Sequence, residues 1–392
     1  MSRLSKNIYL MYGAHIVKML LPLFLFPIVA RSISAEEFGL FVYYQGVTMV
    51  SSCIVEFGFA FTAVNAIATA GCESSVQNIV SRVEKSKFLL TIFIITLAIA
   101  YTSFTKDWLL LLSVISGCIS GMTANYYYQG KEKFSKITKA ELIGMVAYYS
   151  ISIFFMLNGF EFYWLIISYL SSRVIVYFLL SEQVKLIDWC FDFKNTVLHL
   201  KENSIFFLHR STFVIYSTMS IFLVGNILGE KELAMYSGAE KIVFVACGLI
   251  QPFQQVLLPY LSRNSISLKL KKAMVIMFIF TIVTAGISPF LSEKVFYMYY
   301  GNSLYESYKN FNILIWLFPL KYINSMIMVI FFLSKNKARP FSNIYTKLVF
   351  VSLISSYICV IHFGVNGMMF NLIAFELILI LISMIKVKYE KV

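Results

Sequence analysis

The 392 residues read as an all-α polytopic membrane protein, twelve transmembrane helices in two parallel-repeat six-helix bundles, on three observations. First, 59% of the residues are hydrophobic and 14% charged, with a mean hydropathy of +0.76; soluble chains hold roughly 45–50% apolar and about 25% charged residues. Second, apolar runs near the ~20 residues that cross a bilayer recur along the whole chain, and the connections between them are too short for a folded soluble domain. Third, Lys and Arg collect on alternate connections.

The first six runs fall at 8–30, 38–60, 87–105, 108–128, 140–159 and 161–181. The second six fall at 204–227, 235–258, 272–291, 311–333, 344–363 and 365–385. Two long stretches, Leu142–Leu180 and Tyr345–Ile385, are divided at Asn158-Gly159 and at Gly364 because turn residues interrupt them there. Met1-Ser2-Arg3-Leu4-Ser5-Lys6 leads into the first run with no small-residue cleavage site, so it reads as a cytoplasmic stub before an uncleaved helix.

Of the 33 Lys and Arg, 22 lie at the two termini and on the connections after runs 2, 4, 6, 8 and 10, and 5 on the opposite connections. The positive-inside rule then places both termini in the cytoplasm. It also accounts for most of the net charge of +13 without nucleic acid. The six cysteines are scattered with no C-x-x-C pair, which suits apolar fillers better than zinc ligands or disulfides.

A polar cytoplasmic linker, 182–203, separates an N-terminal bundle (1–181) from a C-terminal one (204–392). Residues 34–41, Ser-Ala-Glu-Glu-Phe-Gly-Leu-Phe, echo residues 229–236, Gly-Glu-Lys-Glu-Leu-Ala-Met-Tyr, at an offset of 195. An even number of helices per half inserts both halves the same way up, a plan in which a transporter's site lies at the repeat interface.

Six basic residues fall inside the runs: Lys18, Arg173, Arg210, Lys241, Lys321 and Lys347. Each ionised group in hydrocarbon costs about 2.5–3.5 kcal/mol on the insertion scale, so it faces water, a partner or a ligand. Lys18, Arg210 and Lys321, with Arg173 and with His15 one turn from Lys18, are the candidates for a cationic, water-filled cavity. Internal ion pairs are the alternative, with Glu376 as one mate. Lys241 and Lys347 read as snorkelling near helix ends, Glu240 as a rim charge, and Glu141 as a partner of a helix N-terminus. Glu56 and Glu376 are the embedded carboxyl groups suited to proton or sodium coupling, or to assembly as ion pairs. All seven prolines lie in or beside runs and predict bends in helices 1, 8 and 10.

There is no P-loop, G-x-G-x-x-G, H-E-x-x-H or nucleophile elbow. No cofactor is expected, and without an ATP site the driving force is an ion gradient, the membrane potential or substrate flux.

Several motifs run in order over nearly the whole chain: Leu21-Pro22-Leu23-Phe24, Glu36-Glu37-Phe38-Gly39, Glu56-Phe57-Gly58-Phe59, Tyr128-Gln129-Gly130-Lys131-Glu132-Lys133, Tyr236-Ser237-Gly238-Ala239-Glu240-Lys241 and Pro252-Phe253-Gln254-Gln255. In these the chain resembles the Wzx-type O-antigen flippases, the polysaccharide transporter branch of the multidrug/oligosaccharidyl-lipid/polysaccharide exporter superfamily, which includes the MATE transporters. Many relatives carry Arg where this chain has Asn65 and Tyr260, so no ligand role is carried onto either position. The resemblance implies a non-enzymatic flippase of the bacterial inner membrane for lipopolysaccharide biosynthesis. It implies an undecaprenyl-diphosphate-linked oligosaccharide as cargo, and an O-antigen polymerase and a chain-length regulator as partners. Sugars and a diphosphate need a wet path, and Lys or Arg offsets phosphate charge. A drug/cation antiporter would favour acidic cavity residues, and a membrane polymerase or glycosyltransferase would need a larger extracytoplasmic loop than 292–310.

Overall fold

The computed structural model describes residues 21–187, 192–251, 253, 254, 257, 261, 268–335 and 338–389. Among them the regular structure is helical. Eight helical segments are long and apolar enough to cross a membrane, and Leu21–Ser32 and Tyr163–Leu179 are shorter apolar helices. Every one of the expected runs overlaps helix among the described residues. Lys18, His15, Pro252, Pro259 and Tyr260 lie outside those residues.

The described residues cluster into two compact units: one takes in residues up to Ser32 and Phe41–Thr218, the other Ile33–Leu40 and Met219 onward. The sequence placed a linker at 182–203. The structure has there a 3-10 turn, Glu182–Leu186, and then the beginning of a 36-residue helix, Phe193–Leu228. Nothing between Phe193 and Val224 is Gly or Pro, so the helix that enters the membrane has no reason to begin at its apolar part.

The first unit contains α1 (Leu21–Ser32), most of α2 (Ala35–Glu56), α3 (Phe59–Ala68), α4 (Glu73–Thr105), α5 (Trp108–Met122), α6 (Asn125–Gly130), α7 (Phe134–Leu157), α8 (Tyr163–Leu179) and most of α9 (Phe193–Leu228). Helix α4 begins fourteen residues before the expected run because Val76, Val80, Val83 and Lys87 keep one helical face buried. Lys87, the first residue of the expected run, is therefore four turns inside the helix. Its Nζ donates to the Thr123 carbonyl at 3.1 Å and lies 4.8 Å from the centre of the Tyr126 ring. The adjacent rings of Tyr127 and Tyr128 carry Lys131 and Lys136 in the same way, at 4.9 and 5.1 Å. Part of the Tyr128–Lys133 motif thus secures the end of α6 through cation–π contacts.

Helices α2 and α5 approach closely. A Cβ on Gly117 would lie 2.5 Å from the Thr48 carbonyl oxygen, and one on Gly121 would lie 2.7 Å from Val55 Cβ. This Gly-x-x-x-Gly spacing is how membrane helices bring backbones together without a hydrophobic driving force. Between α2 and α3 the backbone turns left-handed at Phe57 (φ 44°) and Gly58 (φ 78°). The turn packs on α9, where a Gly58 Cβ would meet the Phe206 carbonyl carbon at 2.8 Å.

The second unit contains α10 (Glu230–Gly248), α11 (Leu268–Tyr300), α12 (Tyr308–Leu314), α13 (Leu317–Ile327) running into a π-helical turn (Met328–Leu333), and α14 (Ala338–Tyr389), broken at Gly364 (φ 59°). Pro319 stands just after the break between α12 and α13, where a bend was expected. A buried Asn371 ties the halves of α14 together: its carbonyl accepts from Ser352 and Ser356 at 3.0 and 2.9 Å, and its amide donates to Ser355 at 2.6 Å.

The helices repeat one plan along the chain at the offset read from the sequence. Helices α2 and α10 begin at Ala35 and Glu230, 195 residues apart. Helices α4 and α11, Glu73–Thr105 and Leu268–Tyr300, are both 33 residues long and are also displaced by 195 at each end. Each leaves most of its apolar surface outside the packing, as a lipid-facing helix does.

Candidate functional site

Along α2 the residues Phe41, Tyr44, Gln45, Thr48, Met49, Ser52, Cys53 and Glu56 recur every three to four positions and form one face. That face lines a cavity of about 330 Å³ inside the first unit. The cavity is closed by Ser113 and Ser120 of α5, Tyr148 of α7, Tyr169 of α8, and Arg210 and Val214 of α9. From Tyr44 to Glu56 the polar face runs about 18 Å at 1.5 Å per residue. Phe41, Met49, Leu165, Ile166 and Val214 supply apolar lining, and the hydroxyl and amide groups between them give a guest hydrogen-bonding positions within the bilayer.

One end is fixed by Tyr44, whose hydroxyl donates to Asp107 Oδ1 at 2.8 Å, while the same carboxylate caps α5 by accepting from Leu110 N–H at 3.1 Å. At the other end Arg210 Nη2 donates to Glu56 Oε2. Both side chains keep contact with open space, at 37% and 23% exposure. Arg210 Nε is buried and has no hydrogen-bond partner. The pairing of Arg210 with Glu56 was not foreseen, since 154 residues separate them.

The other candidates sit differently. Arg173 is buried, 3.5 Å from Glu141 and 5.1 Å over the Tyr169 ring. Glu141 is two turns inside α7, since that helix begins at Phe134, so it is not an N-terminal dipole partner. In the second unit the buried Glu376 accepts from Asn324 Nδ2 at 2.6 Å. Lys321 is half-buried on α13, within electrostatic reach of Glu240. Glu240 is not a rim charge: it accepts from Tyr236 at 2.9 Å and Ser220 at 3.2 Å. It occupies the position 195 residues after Gln45, a cavity residue of the first unit. The signal that would have found the cavity is the polar period along α2, which charge alone does not reveal.

A family model described as polysaccharide biosynthesis protein matches residues 4–265. The chain belongs to the polysaccharide biosynthesis protein family. Two relatives carry the name "Putative O-antigen transporter". The one from Shigella dysenteriae is 24% identical over 98% of this chain and 100% of its own length. The one from Escherichia coli K12 is 24% identical over 66% of this chain and 64% of its own. Among solved structures, the lipid II flippase MurJ in its inward closed conformation aligns with a TM-score of 0.78 and 15% identity, over 97% of this chain and 87% of MurJ. An outward-facing MATE multidrug transporter aligns with a TM-score of 0.60 and 13% identity, over 96% and 93%. The resemblance to Wzx-type flippases and the MATE-like fold class read from the sequence are thereby borne out. This member of the polysaccharide biosynthesis protein family is a multi-pass membrane transporter, not an enzyme.

Proposed function

We propose that the protein is a flippase that moves an undecaprenyl-diphosphate-linked O-antigen repeat unit from the cytoplasmic to the periplasmic leaflet of the bacterial inner membrane by alternating access. The observation that carries this reading is the hydroxyl-lined cavity with Arg210 at one end. Serine, threonine, tyrosine and glutamine side chains exchange hydrogen bonds with sugar hydroxyls. A guanidinium offers a planar fork to a phosphate. The names of the relatives and of MurJ support a cargo of this class. Glu376 beside Asn324 offers a carboxylate for proton or sodium coupling, and a polymerase and chain-length regulator receive the product.

Deleting the gene is expected to abolish surface O-antigen while lipid-linked single repeats accumulate facing the cytosol. Accumulation facing the periplasm would instead assign a step after translocation and sink the proposal.

Sidedness has its own probe in Cys72. This exposed thiol sits between α3 and α4, where Ser74 and Ser75 hydrogen bonds lower it to about 7. It is therefore largely thiolate at pH 8 and reacts readily there. With both termini cytoplasmic, a membrane-impermeant maleimide labels Cys72 only after the inner membrane is opened; labelling in intact spheroplasts would invert the topology.

A further inference from the structure

We propose that Glu56 is a stand-in for the cargo's phosphate: it holds Arg210 while the cavity is empty and is displaced from Arg210 when a phosphate arrives. The inference rests on the reading of an anionic, lipid-linked cargo and adds to it the residue that the cargo must compete with.

Three observations meet at this pair. The Arg210–Glu56 contact lines the cavity, so a guest reaches it without unpacking the fold. Arg210 spends one nitrogen on Glu56 and leaves Nε buried and without a partner, so its donor set is not saturated by the carboxylate. A guanidinium binds an oxyanion best with two parallel N–H donors, and a phosphate with several charged oxygens can take both where the present contact uses one. Finally, Glu56 is the last residue of α2 and is followed by the left-handed Phe57 and Gly58. Phe57 stacks on Phe207 of α9 at 4.5 Å, and Gly58 abuts Phe206. A non-glycine residue at positive φ costs on the order of 1–3 kcal/mol and persists only where its surroundings hold it. The pair is one of the contacts that hold this turn against α9, and its exchange for a ligand contact bears directly on the α2–α3 break.

Other charged and titratable groups do not replace Glu56 in this role. Cys53, Tyr44, Tyr148 and Tyr169 line the same cavity but carry no carboxyl group. Glu56 is the carboxylate among the lining residues.

The exchange makes Glu56 an obstacle to anion binding, which a purely structural partner is not. Detergent-solubilised full-length protein is titrated with inorganic pyrophosphate at pH 7 by calorimetry. Removing the competing charge with Glu56→Gln is expected to tighten binding by about tenfold, because like charges side by side disfavour binding. Glu56→Asp, with a shorter reach to Arg210, falls between the two, and Arg210→Ala abolishes binding. Thermal melting confirms that each variant is folded; if Glu56→Gln is not, Glu56→Asp decides. Equal or weaker binding by the folded Glu56 variants, with Arg210→Ala still inactive in binding, overturns the exchange and leaves the anionic-cargo reading standing. Unchanged binding by Arg210→Ala overturns that reading itself.

Discussion

Two Arg–Glu pairs in the first unit have the same chemistry and opposite settings. Arg173 and Glu141 join α8 to α7 with side chains 11% and 12% exposed; Arg210 and Glu56 join α9 to α2 at 37% and 23%. The first is enclosed, with an aromatic face completing the cation's shell. The second opens on a cavity and leaves a donor unused. A count of embedded charges ranks these arginines together, whereas their surroundings differ: one is packed between helices and the other faces a cavity.

The sharpest way to break that contrast is to remove each cation in turn. Arg173→Ala removes the cation beside a buried Glu141, and breaking such a pair costs about 3–5 kcal/mol. The expected outcome is loss of folded protein, read as recovery and melting temperature after solubilisation. The double change Arg173→Met with Glu141→Leu removes both charges and is expected to restore most of that loss, since an apolar pair of similar volume is often no worse. A single variant as stable as the parent would place Arg173 beside Arg210 as a ligand group.

Arg210→Ala gives the opposite pattern. A partly exposed pair contributes about 1 kcal/mol or less, so folded protein persists while surface O-antigen display is lost. Loss of the protein itself, in step with display, would make this pair structural and erase the contrast.

How much of this was legible in the sequence follows from what hydropathy measures. Apolar runs located the membrane helices, and the echo between residues 34–41 and 229–236 gave the repeat that the matched bounds of α4 and α11 then display. Helix ends were not legible, because α4 and α9 continue as amphipathic helix beyond their apolar parts and carry Lys87 and the supposed linker with them. Nor were the pairs: Arg210 meets Glu56 across 154 positions and Arg173 meets Glu141 across 32, and no local pattern links them. The polar face of α2 was written in the sequence at a period of three to four residues, but a reading that weighs only charges passes over Ser, Thr and Gln.

A third pair supplies the shallow end of the same series. Lys136 donates to Glu182 at the surface, with side chains 37% and 51% exposed. That hydrogen bond holds the Glu182 carboxyl below its ordinary range. A carboxyl depressed in the folded state contributes stability above its unfolded value, and the contribution fades as the pH falls through the folded one. Solvent and salt screen so exposed a pair, leaving about 0.5 kcal/mol or less. Lys136→Ala is therefore expected to shift the melting temperature slightly at pH 7 and not at all at a pH acid enough to protonate Glu182 in the parent. A shift that survives such acidification would come from the Lys136 ammonium over the Tyr128 ring, 5.1 Å away, and not from the pair with Glu182. It would show that burial of the aromatic partner, more than exposure of the ion pair, sets the rank of each site in the series.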